Sequence, residues 1–378
     1  MASNVFRRFA KHIFIIANIT TAILFLLGCY GYLFHPSTLW PVGFLTLTAF
    51  YFFLVLIAFI FFWLFIKPVR ALISIVVILL AYKPLSNLIP YRLPHEFNKP
   101  KAENALRVMT WNVAQFNIME DKQHPEVKSH MLNIINEYQP DIACFQEMVA
   151  EDSTVKDHGH VDGFLEKLNF KNYLYSYNIK EDFWGYAHFG IIIFSKYPII
   201  NKQTISFYPN DYNSIFQYAD IVKGADTIRV FNVHLQSLRF SKENLKYIDK
   251  PSIEDETMAL KESKNIIAKF KKGFLKRETQ ANRIRAEMDK SPYPIIVTGD
   301  FNDVPNSYAY HTIGGDMKNS FVEKGSGLGR TFSGISPVLR IDNIFVDKKM
   351  EVLQFDRVKK KLSDHFPIIA DMQMPARL

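Results

Sequence analysis

Two stretches of the chain contain no charged residue: Ile13 to Phe34 and Val42 to Ile66, of 22 and 25 residues. Both are apolar on every face, and at ~1.5 Å per residue both reach the ~30 Å of a bilayer's hydrocarbon, so the pattern predicts two transmembrane helices. Arg7, Arg8 and Lys11 ahead of the first stretch would also suit a cleaved signal peptide, but a second span directly behind it favours an anchor. A third run, Ala71 to Tyr82, has 12 uncharged residues and reaches spanning length if it continues past Lys83 to Pro90. Because a segment apolar on all faces belongs in lipid or a bundle core, three helices are expected, over about 13–34, 42–66 and 69–89, with two as the alternative.

Sidedness follows from that count. Three spans put Arg7, Arg8, Lys11, Lys67 and Arg70 in the cytoplasm and everything after the anchor outside. Two spans would keep the downstream bases and the rest of the chain inside, and charge alone leans slightly that way. The expectation is a multi-pass membrane protein, residues 1–91, with its polar domain on the non-cytoplasmic face.

Residues 92–105 form a short polar linker with two prolines, and from Leu106 the periodicity changes. Short β-branched runs (ALRVMTWNVA, DIACFQEM, FGIIIFSKYPII, TIRVFNVHLQ, PIIVTGDF, RIDNIFVD, IIADMQM) alternate with helical spacing at Glu126 to Tyr138, Val161 to Leu168 and Glu254 to Met288. The last of these is expected to be two helices broken near Gly273. The pattern is that of one large α/β domain over 106–378, without internal repeats.

Composition sharpens this division. The 378 residues carry 45 Lys and Arg against 37 Asp and Glu, a formal charge of +8. Nine of the bases and two of the acids precede residue 106, so the anchor and its flanks hold +7 and the polar domain +1. The mean hydropathy of −0.02 averages two unlike halves. Two cysteines, Cys29 and Cys144, exclude a disulfide framework and a Cys-rich zinc site, and 15% aromatic residues exclude disorder as the main theme.

Candidate chemistry sits at the ends of the expected strands: Asn112 in TWNV, Glu147 in FQEM, His234 and Gln236 in NVHLQS, Asp300 and Asn302 in TGDFND, Asp342 in RIDNIF, and Asp364 and His365 in LSDHFP. One polar residue at a strand end is usually a cap. Five or six strands doing so in one domain converge on a sheet edge and make a site. Glu147 with Asn112 is a sparse oxygen donor set of the kind that suits Mg²⁺ or Mn²⁺. Asp300 can accept a proton from attacking water, and Asn302, two residues on in extended geometry, would face the same way. His234 and His365 can donate to phosphate oxygens as charge develops, and Asp342 would hold the tautomer of His365.

In this order, TWNV, QE, GIIIFSKYPI, NVHLQ, GDFND, RIDNIF and SDHFP resemble the endonuclease/exonuclease/phosphatase superfamily, which includes deoxyribonuclease I, AP endonucleases, inositol-polyphosphate phosphatases and neutral sphingomyelinases. The resemblance covers about Leu106 to Met374. It implies a four-layered α/β sandwich, two packed mixed sheets flanked by helices. It also implies that Glu147 is the principal metal ligand with Asn112 beside it and Asp364 near the metal, that Asp300 and Asn302 activate water, and that His365, paired with Asp342, contacts the scissile phosphate. A histidine at 234, in the form H-L-Q, is similar to the sphingomyelinase-like and phosphatase-like branches, where AP endonucleases have a tyrosine. Asn343 stands where many members have an aromatic residue.

The expectation is therefore a membrane-anchored, Mg²⁺- or Mn²⁺-dependent phosphodiesterase with His234, Gln236 and Asn302 toward the substrate, its partners being the bilayer and a lipid headgroup or other phosphoester. A tethered nuclease is the alternative. Duplex binding normally needs a basic surface, which a net +1 does not supply, although Lys264, Lys269, Lys271, Lys272, Lys276 and Arg277 could form a local patch. An inactive binding module is a minor third reading, and no protein partner is implied.

Overall fold

Residues 106–112 (LRVMTWN) are buried along their whole length, so strand β1 (Leu106–Asn112) lies inside a sheet covered on both faces. The computed structural model describes residues 2–93, 96–120, 124, 126–151, 161–183, 187–206, 215–250 and 256–374. The strands after β1 are β2 (Ile142–Glu151), β3 (Asn172–Phe183), β4 (Ala187–Ser195), β5 (Ile199–Ser206), β6 (Ile215–Lys223), β7 (Asp226–His234), β8 (Ile295–Asp300), β9 (Lys318–Asn319), β10 (Asp342–Val346), β11 (Glu351–Arg357) and β12 (Ile368–Gln373). They form two six-stranded sheets, ordered β11-β12-β1-β2-β4-β3 and β5-β6-β7-β8-β10-β9. Each sheet has one parallel pair at its centre, β1 with β2 and β7 with β8, and antiparallel pairs around it. FGIIIFSKYPII, expected as one strand, is divided between the sheets: β4 ends at Ser195 and β5 begins after Pro198, which has no N–H to continue a ladder.

Alternation along the strands builds the layers. Val108, Cys144, Ile193, Val230, Ile296 and Ile344 meet between the sheets. The opposite side chains of the first sheet, Met109, Trp111 and Phe145 among them, pack beneath helices α6 (Glu126–Tyr138) and α7 (Val161–Leu168). Those of the second sheet, including Phe231, Val297 and Phe345, pack beneath α9 (Glu256–Met288) and α10 (Tyr308–Gly314). The remaining helices here are α8 (Lys242–Asp249) and α11 (Ser320–Lys324). The result is the expected four-layered sandwich. The break expected near Gly273 does not occur, since α9 is continuous over 33 residues. The glycine instead brings the helix close to its neighbour: a Cβ on Gly273 would lie 2.6 Å from a methyl of Leu238, which would have to shift.

The region expected to be an anchor comprises α1 (Ala2–Cys29), a short α2 (Pro36–Leu39), α3 (Val42–Ile66), α4 (Ala71–Leu80) and α5 (Tyr82–Leu88). Two helical segments are long and apolar enough to cross a membrane, Phe9–Cys29 and Val42–Ile66. The first expected span, 13–34, therefore ends earlier, at Cys29. The third, 69–89, is not one straight helix, because Pro68–Leu80 and Tyr82–Leu88 meet at 69°. At ~1.5 Å per residue the ten residues of α4 cover about 15 Å, half a hydrocarbon core. A buried hydrogen bond from Ser74 to Asn18, 2.8 Å, ties α4 to α1.

One end of this bundle docks on the sandwich. Tyr32 stacks on His311, His35 and Ser37 bond Glu278, and Phe44 of α3 packs against Phe270 and Phe274 of α9. The fastening of α5 falls to Arg340, which lies fully buried over the Phe321 ring and donates to the carbonyl oxygens of Asn87, Leu88 and Leu328. Burial pulls its guanidinium down to about 10, leaving it charged at neutral pH. A cation is well placed against the carbonyl-rich C-terminus of a helix. The linker is pinned as well: Phe97 packs against the core, and Lys99 and Lys101 pair with Glu137 and Asp141.

Replacing Arg340 by alanine leaves those carbonyls unsatisfied, at a cost of about 3 kcal/mol. The Tm of Arg340→Ala in detergent, followed by circular dichroism, should fall by roughly 5–10 °C. A Tm unchanged from the parent protein would contradict the fastening role.

Candidate active site

The carboxyl ends of both central parallel pairs point to the same edge of the sandwich. Asn112 ends β1, His234 ends β7 and Asp300 ends β8, and in the register of that pair His234 lies beside Asp300. Asp342 and His365 arrive differently from the expectation, at or just before the starts of β10 and β12. Both strands run antiparallel to their neighbours, so their beginnings share this edge, and Asp342 pairs directly with Asp300.

Glu147 is aimed at the site by a local irregularity. The β2–β4 register shifts between Phe145 and Met148, and Glu147 sits in that bulge with φ +54°. A bulge adds a residue to one strand and turns a side chain that the pleat would direct elsewhere. Asn302 is likewise not extended: its φ is +50°, and a tight turn folds it back on Asp300. Its main-chain N–H donates to Asp300 Oδ1 at 2.8 Å, while its amide donates to Asp300 Oδ2 and the Leu235 carbonyl.

The groups gather around Asp300 Oδ2. Asn112 Nδ2 donates to it and to Glu147 Oε1, both at 3.2 Å, while Asn112 Oδ1 accepts from the Ala114 N–H. Asn112, expected as a metal ligand, thus presents its NH₂ and bridges two acids. His234 Nε2 lies 3.6 Å from Asp300 Oδ2 and 3.8 Å from Glu147 Oε1, and His365 Nε2 lies 3.7 Å from Asp300 Oδ2. The other nitrogen of His365 bonds Asp342 Oδ2 at 2.8 Å. Asp364 lines the same cleft beside Glu147 and accepts from Ser363 Oγ. Gln236 is held by its neighbours: its amide donates to the Ser237 carbonyl, and its main chain is bonded by Gln280 and Arg277 of α9.

The electrostatics follow from burial of like charges. Burial first, and then the charge of Asp364, pushes Glu147 up to about 7. Burial also raises Asp300, opposed by His365. Burial lowers His234 to about 4, so it is neutral at pH 7. Burial would also neutralise His365, but Asp342, Asp300 and Asp364 together outweigh it and push it up to about 10, which makes it an imidazolium. Four acids, Glu147, Asp300, Asp342 and Asp364, are thus grouped around the His365 imidazolium, with Arg239 and Arg277 also lining the cleft. Among the described residues, Asp300, Asp342 and His365 offer ligand atoms within 4.8 Å of one another. A protonated His365 already bonded to Asp342 holds a proton where a metal would need a lone pair, which leaves the acids Glu147, Asp364 and Asp300 to receive a cation. An all-oxygen set with excess negative charge fits a hard divalent ion.

Supporting residues escaped the sequence reading. Thr331 Oγ1 accepts from the N–H groups of both Ile341 and Asp342, at 2.9 and 3.0 Å. Ser363 Oγ donates to the Asn112 carbonyl and accepts from the His365 N–H, and Trp111 Nε1 donates to the His365 carbonyl. Gln146 bonds Asn232 across the two sheets at 2.7 Å, directly behind Glu147. Arg277 ties the loops after β7 and β8 to α9 through the Gln236 carbonyl and Asp303. Trp111, Gln146 and Ser363 adjoin motif residues and could have been noticed on that ground, whereas Thr331 carries no local signal. The basic patch offered by α9 is partly committed elsewhere: Arg277 is buried on Asp303, Lys269 bonds the Arg239 carbonyl and Asn244, and Lys271 lies over Trp40. Of the segment 181–189, Tyr186 lies outside the described residues, and His188 stacks on Tyr177.

The sequence pattern described as Endonuclease/Exonuclease/phosphatase family matches residues 109–365, which take in every residue placed at this edge. The chain belongs to this family of phosphoester hydrolases. A domain of unknown function matches residues 11–88. The chain matches no curated protein. Similar solved structures include an endonuclease/exonuclease/phosphatase from Beutenbergia cavernae, with 16% identity, 72% of each chain covered and a TM-score of 0.48. A family protein from Leptotrichia buccalis has 17% identity, with 71% of this chain and 100% of that one covered, and a TM-score of 0.48. A mannosyl-6-phosphatase from Bacteroides thetaiotaomicron has 16% identity, coverage of 71% and 99%, and a TM-score of 0.47.

Thr331→Val removes the acceptor of two main-chain N–H groups and frees Asp342 to drift from His365. We expect kcat to fall roughly tenfold, or about 1.4 kcal/mol, with KM little changed, and Thr331→Ser to restore it. Equal kcat in the valine variant and the parent would contradict a positioning role.

Proposed function

We propose that the protein is a membrane-anchored phosphodiesterase, dependent on Mg²⁺ or Mn²⁺, that directs water in line at phosphorus. The observation that carries this reading is the convergence of Glu147, Asp300, Asp364 and the Asp342–His365 pair on one edge of the sandwich. Glu147 and Asp364 would hold the ion, with Asp300 nearest to them. When bound, the ion supplies positive charge to the phosphate and to the leaving oxygen.

The chain's own groups account for the rest. Asp300 accepts the proton of the attacking water as the new O–P bond forms and the ester P–O bond breaks; the leaving oxygen is protonated from solvent. Asn302 and Asn112 hold Asp300 in orientation through three hydrogen bonds. The imidazolium of His365 donates Nε2–H to a non-bridging oxygen, where charge builds in the transition state, and Asp342 keeps it protonated and aligned. His234, neutral, contributes a second hydrogen-bonding nitrogen without adding a full charge to the site.

A lipid headgroup is preferred to nucleic acid as substrate. The near-neutral charge of the domain and the engagement of Arg277, Lys269 and Lys271 in local contacts both support this preference. For sidedness, the supporting observation is that α1 ends, α3 begins and α5 ends against the sandwich, while Lys67 and Arg70 lie at the other end of α3. With those bases and the start of α1 in the cytoplasm, the catalytic domain lies on the opposite face.

Asp300→Asn should lower kcat by ~10³ or more with a much smaller change in KM, and Glu147→Ala should abolish Mg²⁺-dependent hydrolysis without unfolding the domain. Steady-state assays on a panel of sphingomyelin, other phospholipids, DNA and phosphomonoesters read both effects, and a fully active Asp300→Asn would remove the water-activation role. A reporter that works only outside the cytoplasm, fused after Leu378, should be active. A silent reporter on a well-expressed fusion would reverse the sidedness.

A further inference from the structure

Asp300 and Asp342 are buried, while Glu147 is partly and Asp364 fully open to the surface. Glu147, Asp300 and Asp364 line a cleft of about 620 Å³, and one of its walls is the helix α3. Phe44, Leu47, Thr48 and Tyr51 line it, a spacing of i, i+3, i+4 and i+7 that places all four on one helical face. Leu238 and Phe240 from the loop after β7, and Ile335 from the loop before β10, face the same space. Asp300, Glu147 and His365 lie at its base, so a single continuous cavity joins phosphate chemistry to an apolar wall.

The wall falls at the depth where lipid chains begin. The 25 residues of α3 are about 37 Å long against ~30 Å of hydrocarbon, an excess of about five residues. Whether that excess lies wholly at this end or is shared between both, Leu47 to Tyr51 fall within the hydrocarbon. The far lip repeats the signal. Ile335 is β-branched, yet sits at φ +53° with 54% of its surface exposed, and its neighbour Ser336 bonds the Tyr51 hydroxyl of α3 at 2.9 Å. An apolar side chain held outward in a left-handed conformation, beside a spanning helix, is suited to hydrocarbon and not to water. The arginines lining the cleft are Arg239 and Arg277, the latter buried on Asp303, which is a poor track for a nucleic-acid backbone.

We infer that α3 is part of the substrate site: the enzyme takes a phosphoester of a membrane lipid, whose hydrocarbon lies along the Phe44, Leu47 and Tyr51 face while its phosphate reaches Asp300 and His365. The substrate then enters sideways from the bilayer in which the protein is anchored. This inference rests on the hydrolase reading above and on α3 as a span.

The test uses the full-length protein in a non-ionic detergent at fixed concentration with Mg²⁺, and three esters that share one leaving group: 4-nitrophenyl methyl, hexyl and dodecyl phosphate. Release of 4-nitrophenolate should show kcat/KM rising by about tenfold or more from methyl to dodecyl, the effect of burying two methylenes. Leu47→Trp, which fills the wall while remaining compatible with lipid, should cut the dodecyl-to-methyl ratio by about fivefold or more, a loss smaller than two buried methylenes. If Leu47→Trp does not purify as a folded protein, Ile335→Ser at the exposed lip is expected to lower the same ratio. Hydrolysis without any dependence on chain length, a ratio that neither variant changes, or a preference for DNA over all three esters would overturn the inference and leave the hydrolase reading intact. Failure to cleave any of the esters, DNA or phosphomonoesters would overturn the hydrolase reading itself.

Discussion

Asp300 and Asp342, both buried, share one edge of the sandwich with the partly exposed Glu147 and the exposed Asp364; the four acids repel one another, and much of the surrounding structure serves to hold them there. Unpaired buried charge is costly, and isolated acids would take up protons, as the rise of Glu147 to about 7 illustrates. Asn112 spans two of the acids, Asn302 gives Asp300 two hydrogen bonds, and His365 neutralises Asp342 across 2.8 Å. Behind them Thr331, Ser363, Gln146 and Arg277 fix the loops and strands that carry the acids. The repulsion that remains is what makes the site receptive to a divalent cation and to a phosphate bound through it.

The architecture makes this concentration of charge feasible. Each sheet places a parallel pair at its centre, and the carboxyl ends of both pairs meet at the same edge. Strands that run the other way contribute through their first residues. The loops on this edge are thus anchored on both sides by buried strands, and α9 clamps two of them. Because the apolar N-terminal helices dock on the same edge, the chemistry faces that end of the molecule and not the far side of the sandwich.

Much of this was legible in the sequence, for reasons that vary by element. Asn112, Glu147, His234, Asp300, Asp342 and His365 stood out because polar residues at the ends of strongly apolar β-branched runs are conspicuous, and six of the seven clearest runs correspond to single strands, the seventh spanning β4 and the start of β5. The edge strands β11, partly exposed, and, beyond Ile200, β5, largely open to solvent, read as ordinary polar sequence, so their pattern did not announce them. Local conformation was also hidden: neither the bulge that turns Glu147 nor the turn that folds Asn302 back has a composition of its own. Gly273 misled because glycine serves both to end helices and to admit a neighbouring side chain, and only the approach of Leu238 separates the two uses. The roles of Arg340 and of the Phe44 to Tyr51 face depend on contacts between segments far apart in the chain, which hydropathy does not encode. Apolarity marked α3 as long and apolar enough to cross a membrane but gave no sign that one side of it borders the acids.

The central claim is that this edge directs water to phosphorus. The most direct measurement is hydrolysis of a phosphodiester by the purified protein in ¹⁸O-labelled water, with the position of the label read by mass spectrometry. The account predicts one ¹⁸O in the phosphate-bearing product and none in the released alcohol, with incorporation lost in Asp300→Asn. Label in the alcohol, or undiminished incorporation in Asp300→Asn, would contradict it.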